Sequence, residues 1–250
     1  MAAQPEIVVK ANLEELSREA AAHFQRLAAE SMATAGRFSV ALSGGSTPRA
    51  LYHLLSEPPF RDAIDWPRVH LFWGDERFVP PDHPDSNYRL AQEAFISTVP
   101  IPAGNVHPMP TEGSDPHAAA ARYEETLRRF FAPPEGEPPR LDLVLLGLGA
   151  DGHTASLFPG SPALDEDGRL VVAVYVPKLD AWRLTLTPPV LRSARHAVFL
   201  VSGTDKASVL REVLEGPYEP HRLPAQLVRP QGGELTWLVD EAAASLLPPR

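Results

Sequence analysis

The segment from Leu141 to Thr154 constrains the fold more than any other part of the chain. It reads Leu-Asp-Leu-Val-Leu-Leu-Gly-Leu-Gly-Ala-Asp-Gly-His-Thr. Apolar residues fill positions 143 to 146, between Pro138-Pro139 and Gly147. An unbroken apolar run of this length, with no polar alternation, suits a strand covered on both faces, as in a parallel sheet. The glycines then turn the chain and deliver Asp151 and His153 just past the strand. In an open α/β sheet, ligands bind beyond the carboxyl ends of such strands. A histidine placed there is a candidate general base, because imidazole titrates near working pH.

The same stretch spells Gly147-Leu148-Gly149-Ala150-Asp151-Gly152, a match to the G-x-G-x-x-G dinucleotide pattern. That pattern needs a long helix opening at the glycines and an acidic residue about 20 residues on, at the tip of the next strand. Pro159 and Gly160 stop any helix early. The next apolar run, Leu170 to Val176, ends in Pro177 and Lys178, and Asp165, Glu166 and Asp167 precede it. A nicotinamide or flavin site is therefore rejected.

Elsewhere helical and strand patterns alternate. A helix is expected from Asn12 to Met32, with Leu13, Leu16, Ala20, Phe24, Leu27 and Met32 near one face. Strands are expected at Arg37 to Leu42, Val69 to Trp73, 141–146, Leu170 to Val176, Ala197 to Val201 and Leu235 to Val239. Further helices are expected after Pro48, over Ser86 to Ser97, from Pro116 to Phe131 with Asp115 as cap, from Lys206 to Leu214, and from Glu241 to Leu247. This alternation predicts a three-layer α/β/α fold around a mostly parallel central sheet. The proline-rich stretches at 99–110, 132–140 and 217–230 read as loops rather than interdomain linkers. One α/β domain over residues 1–250 is expected.

Composition narrows the function. The chain has no cysteine, which excludes disulfides, thiolate nucleophiles and cysteine-bound metals and fits a reducing compartment. A formal net charge of −9 argues against nonspecific nucleic-acid binding. There is no signal-peptide pattern and no apolar run of membrane-spanning length, so a cytoplasmic location with no membrane partner is expected. No H-E-x-x-H or comparable ligand spacing points to a metal, and no G-x-S-x-G elbow points to a serine hydrolase.

Several strand ends carry anion-binding chemistry. Ser43-Gly44-Gly45-Ser46-Thr47-Pro48 is a glycine turn into a helix start, where Thr47 or Ser46 can cap and free N–H groups can face an anion. It lacks the Gly-Lys-Ser/Thr of a P-loop, and a plain capped turn is an equal reading. Gly74-Asp75-Glu76-Arg77 offers an arginine suited to phosphate, or a mere surface ion pair. Arg183 sits among apolar residues, so it is either paired in the fold or awaits an anion. Lys206 opens a helix after Gly203-Thr204-Asp205, where the dipole disfavours a cation unless an anion is present.

Taken in order, Ser43–Pro48, Gly74–Arg77, Asp85-Ser86-Asn87-Tyr88, Gly147–Pro159 and Arg183–Thr187 resemble the motifs of the 6-phosphogluconolactonases, over roughly residues 5 to 247. The resemblance implies hydrolysis of 6-phospho-D-glucono-1,5-lactone in the oxidative pentose phosphate pathway. It makes His153 the base that activates water and Asp151 its orienting partner. Gly44, Gly45, Ser46, Thr47, Asp75, Arg77, Asn87, Arg183 and Lys206 become the substrate and phosphate contacts. No metal or organic cofactor is implied, and a monomer is favoured. The related glucosamine-6-phosphate deaminases share the fold but carry a glutamate five residues after the histidine, where this chain has Phe158. A non-catalytic sugar-phosphate effector domain is the other alternative. It would call for a helix-turn-helix, and the one amphipathic helix before the first strand is too little for that.

Overall fold

The structure is a computed structural model and describes residues 5–248. In chain order the elements are β1 (Glu6–Lys10), α1 (Leu13–Ala35), β2 (Phe38–Leu42), α2 (Ser46–Leu55), α3 (Phe60–Ala63), β3 (Val69–Trp73), β4 (Asp75–Arg77), α4 (Asn87–Ala91), α5 (Pro116–Phe131), β5 (Leu143–Leu146), β6 (Val171–Val176), β7 (Ala181–Leu186), α6 (Pro188–Ser193), β8 (His196–Val201), α7 (Ala207–Glu215), β9 (Glu234–Asp240) and α8 (Glu241–Ala244). A six-stranded sheet runs in the order β1-β9-β8-β5-β2-β3, with every pairing parallel. The expected mostly parallel central sheet with helices is present. All residues of β2 and β5 are buried, as the continuous apolar run of β5 requires, and the one polar residue, Ser39 of β2, is satisfied by Asp142 Oδ2.

Helix α1 shows how local signals agree with packing. Asn12 caps it by accepting the Glu15 N–H at 3.0 Å, and Gly36 ends it in the left-handed region. Leu16, Ala20, Phe24, Leu27 and Met32 are buried, with Phe24 edge-on to Phe38 of β2 at 5.2 Å. Burying a ring such as Phe24 stabilises the fold by about 1.5–3 kcal/mol.

A second sheet departs from expectation. The 170–176 strand is not part of the parallel sheet. It is β6, the edge of a three-stranded antiparallel sheet ordered β4-β7-β6. Arg183 does not follow a strand but lies within β7, opposite Arg77. The physical reason lies at Gly74. Its N–H bonds to Leu42 O in the parallel sheet, and its carbonyl accepts Leu186 N–H from β7, both at 2.8 Å. The chain thus passes from one sheet to the other at a single residue. Further elements were not anticipated, among them β1, an edge strand paired with β9, the short α3, and α6, whose Pro188-Pro189 start suits a first helical turn. The helix expected over Ser86 to Ser97 forms as α4 and continues in π form over Gln92–Ile96. One hydrophobic core runs through both sheets, joining Phe38 and Leu145 to Val171 and Leu184. Among the described residues, no helix is long and apolar enough to cross a membrane.

Candidate active site

The carboxyl ends of β2, β3, β5 and β8 converge, with the second sheet as one wall, on a cavity of about 440 Å³. It is lined by Gly44, Asp75, Arg77, Asn87, His153, Arg183 and Lys206, all singled out in the sequence. Asp151 joins through His153. Gly45, Ser46 and Thr47 do not line the cavity, and Gly45 and Ser46 are exposed. Nor does Ser46 or Thr47 cap α2: Gly45 holds the cap position with no side-chain bond, because both hydroxyl residues are already inside the helix.

The turn over residues 147–152 does not become a helix. It folds back on itself, with Gly149 N–H bonded to His153 O at 2.8 Å and Gly152 N–H to Gly149 O at 2.9 Å. Both N–H groups are thereby engaged inside the turn, which removes them as donors to a ligand. Gly149 is required for a steric reason. A Cβ there would stand 2.0 Å from His153 Nδ1, so only glycine lets the imidazole lie over this backbone. Gly44 has the same role toward Asn87, whose Oδ1 would be 1.8 Å from an added Cβ.

The imidazole is held from one side. His153 Nδ1 meets Asp151 Oδ1 at 2.5 Å. With the carboxylate accepting, Nδ1 carries the proton and Nε2 is left with its lone pair. Nε2 has no hydrogen-bond partner among the described residues. Lys178 donates to the second oxygen of Asp151. Burial alone would raise the Asp151 carboxyl. The bonds from Lys178 and His153 outweigh it and hold Asp151 well below the ordinary carboxylate range.

The far wall carries two arginines without an ion pair among the described residues. Arg77 is bonded to a carbonyl, Asp85 O at 2.7 Å, not to a carboxylate. Arg183 has no ion pair among the described residues. Burial lowers its pKa and the facing Arg77 lowers it further, against the weaker pull of Asp75, Glu76 and Asp85. Four buried side-chain atoms of the lining lack any partner: Ser43 Oγ, Arg77 Nε, Asn87 Oδ1 and Arg183 Nε. Unmet buried polar groups are costly and uncommon, so several in one cavity mark where a polar ligand completes the bonding.

Three supporting residues escaped the sequence reading. Ser43 lies on the lining itself. Ser156 donates to Asp75 Oδ2 at 2.6 Å and so ties the histidine turn to the second sheet. Glu76 is buried and accepts the N–H groups of Arg77, Asn87 and Tyr88 at 2.7–2.8 Å, with Ser86 Oγ at 3.2 Å. Burial pushes its carboxyl up to about 7, against the pull of those donors. It fixes the loop that presents Asn87. The only available signal was its place in Asp75-Glu76-Arg77, which does not distinguish a buried anchor from a surface acid. Among the described residues, no group of three or more His, Asp or Glu converges as a metal site.

The family model described as glucosamine-6-phosphate isomerases/6-phosphogluconolactonase matches residues 11–237. The chain belongs to this family. A 6-phosphogluconolactonase from Synechocystis is 46% identical over 220 residues, covering 88% of this chain and 89% of the relative. A solved 6-phosphogluconolactonase structure from Trypanosoma cruzi is 33% identical with a TM-score of 0.87, over 100% of this chain and 99% of that one. A monomeric glucosamine-6-phosphate deaminase superposes with a TM-score of 0.79 at 23% identity over 96% and 99% of the two chains, a likeness of fold alone.

Proposed function

We propose that this chain is a 6-phosphogluconolactonase, hydrolysing 6-phospho-D-glucono-1,5-lactone to 6-phosphogluconate, the lactonase step of the oxidative pentose phosphate pathway. The observation that carries the reading is the pairing of an imidazole Nε2 without a partner with two arginines that have no ion pair among the described residues, across one cavity. One end suits an acyl carbon and a water. The other suits a phosphate, which accepts paired N–H bonds from guanidinium groups.

In this reading His153 Nε2 takes a proton from water as its oxygen adds to C1 of the lactone. Charge develops on the carbonyl oxygen in a cavity lined by Arg77, Arg183 and Lys206, a field that favours it. The tetrahedral species then breaks the bond from C1 to the ring oxygen, and His153 returns its proton to that oxygen. The product is a carboxylic acid that ionises in water. Asp151 keeps the proton on Nδ1 throughout. Asn87 Oδ1 can only accept, so it selects a sugar hydroxyl, while Ser43 Oγ can do either. A lactone is an activated ester, so the step calls for no organic cofactor.

The test is hydrolysis of freshly generated lactone by purified protein, followed as acid release, with His153→Asn beside it. The wild type should hydrolyse the lactone far above the spontaneous rate. The variant should lose roughly 10²- to 10⁴-fold in kcat, the usual contribution of a general base. A variant that folds and retains wild-type kcat removes His153 from the role.

A further inference from the structure

The β6–β7 hairpin ends in a single turn, Pro177–Leu179, closed by Asp180 in the left-handed region. Lys178 projects from this tip. Its ammonium donates to Asp151 Oδ2, while Oδ1 of the same carboxylate takes the His153 Nδ1 proton. The ammonium also stands 5.1 Å from the centre of the Phe158 ring, and that ring packs on the His153 imidazole at 4.3 Å between centroids. The contacts therefore close on themselves, running from 178 to 151, to 153, to 158 and back to 178. A carboxylate held only through Oδ1 is free to rotate and carry the imidazole with it. With both oxygens engaged from opposite partners, it is not.

We propose that Lys178 is a positioning residue for His153, acting through Asp151 and set from the tip of the second sheet. The inference rests on the lactonase reading of the same cavity. Lys178 also lines that cavity, so a direct phosphate contact is the rival assignment. The geometry favours positioning. The ammonium is already committed to a carboxylate, whereas Arg77 and Arg183 have none. The side chain is 57% exposed, so replacing it disturbs little of the core.

The experiment compares Lys178→Met and Lys178→Arg with the wild type in three measurements: kcat and KM on the lactone, calorimetric affinity for 6-phosphogluconate, and the low-field proton resonance of His153 Nδ1–H. Positioning predicts that Lys178→Met loses about ten-fold in kcat, part of what a general base contributes. Product affinity should stay within two-fold, and the low-field resonance should broaden. Lys178→Arg, which keeps a cation, should restore most of both. Weakened product affinity with unchanged kcat makes Lys178 a phosphate ligand and overturns the proposal. An unchanged resonance with unchanged kcat overturns it too. If the wild type does not hydrolyse the lactone, the lactonase reading fails, and the resonance alone decides whether Lys178 orders His153.

Discussion

Arg77 and Arg183 stand directly opposite one another across the antiparallel β4–β7 ladder. Like charges in that register repel, and such pairs destabilise a sheet. Neither guanidinium has a carboxylate partner among the described residues, and each leaves a buried Nε unbonded. Elsewhere Arg26, Arg89, Arg128 and Arg169 are ion-paired. The fold thus bears a repulsion at one place, and an anion between the two arginines would relieve it.

Replacing either arginine with leucine should therefore separate stability from binding. The unliganded Arg183→Leu protein is expected to melt at the wild-type temperature or above it. Its affinity for 6-phosphogluconate should fall about 10- to 100-fold, corresponding to the roughly 1.5–3 kcal/mol of a hydrogen bond to a charged group. Calorimetry and thermal unfolding on the same sample check this. A lower melting temperature with unchanged affinity would make the pair structural.

Much of this arrangement can be read from the sequence, and the limit is physical. The strand at 143–146 is a continuous apolar run, and those at 38–42 and 69–73 are interrupted only by Ser39 and His70, because most of their residues are covered on both faces. The histidine turn declared itself through its glycines. The second sheet did not. β4 is three residues long and β7 is only half-buried, since part of it faces the cavity, so neither shows a clean period of two. Arg183 was recognised as a charge in apolar company, but its register with Arg77 depends on that sheet. Lys178 and Ser156 act across 27 and 81 residues of chain, a relation that no local pattern encodes.

Glu76 provides a second test. Its two oxygens receive four donors, three of them backbone N–H groups. Glu76→Gln keeps the shape but turns one oxygen into an NH₂ that must face a backbone N–H. The expected cost is about 1–3 kcal/mol of unfolding free energy, the penalty of a buried donor left unpaired. The lactone KM should rise with it, because Asn87 is presented by the same loop. Urea unfolding and steady-state kinetics measure the two effects. A Gln variant as stable as wild type would mean that these bonds do not anchor the loop.

Two histidines far from the cavity set a pH dependence of stability. Burial holds His23 at about 4, helped by Arg26 and His196, and holds His70 at about 4, helped by His107 and Arg37. In the unfolded chain both titrate near the ordinary imidazole value of 6.5. Between these values the unfolded state binds more protons, so stability falls as pH drops from about 6.5 to 4. Glu76 opposes this. Its raised value means the unfolded chain releases a proton first, between about 4.5 and 7, which favours the fold at the acid end. Comparing variants isolates the histidines. His70→Phe, beside Phe72 and Phe130, should lose less melting temperature than wild type on going from pH 7 to 4. Parallel curves for the two proteins would show that His70 contributes nothing.

The last prediction concerns the reaction this chain should not perform. Isomerising and deaminating glucosamine 6-phosphate requires a base that moves a proton between C1 and C2 of an opened sugar. The deaminases that this sequence resembles carry a carboxylate at the position of Phe158, and a phenyl ring accepts no proton. Here that ring lies against the imidazole of His153. Two other acids lie close by, and each is occupied. Asp75 accepts Ser156 Oγ at 2.6 Å, and Glu76 is buried beneath four donors. Purified protein incubated for hours with glucosamine 6-phosphate should therefore release no ammonia and form no fructose 6-phosphate above the enzyme-free control. Enzyme-dependent ammonia release that survives Asp75→Asn would show that a base other than Asp75 serves C2. Release abolished by that substitution would place Asp75 in the role and give the cavity a second chemistry.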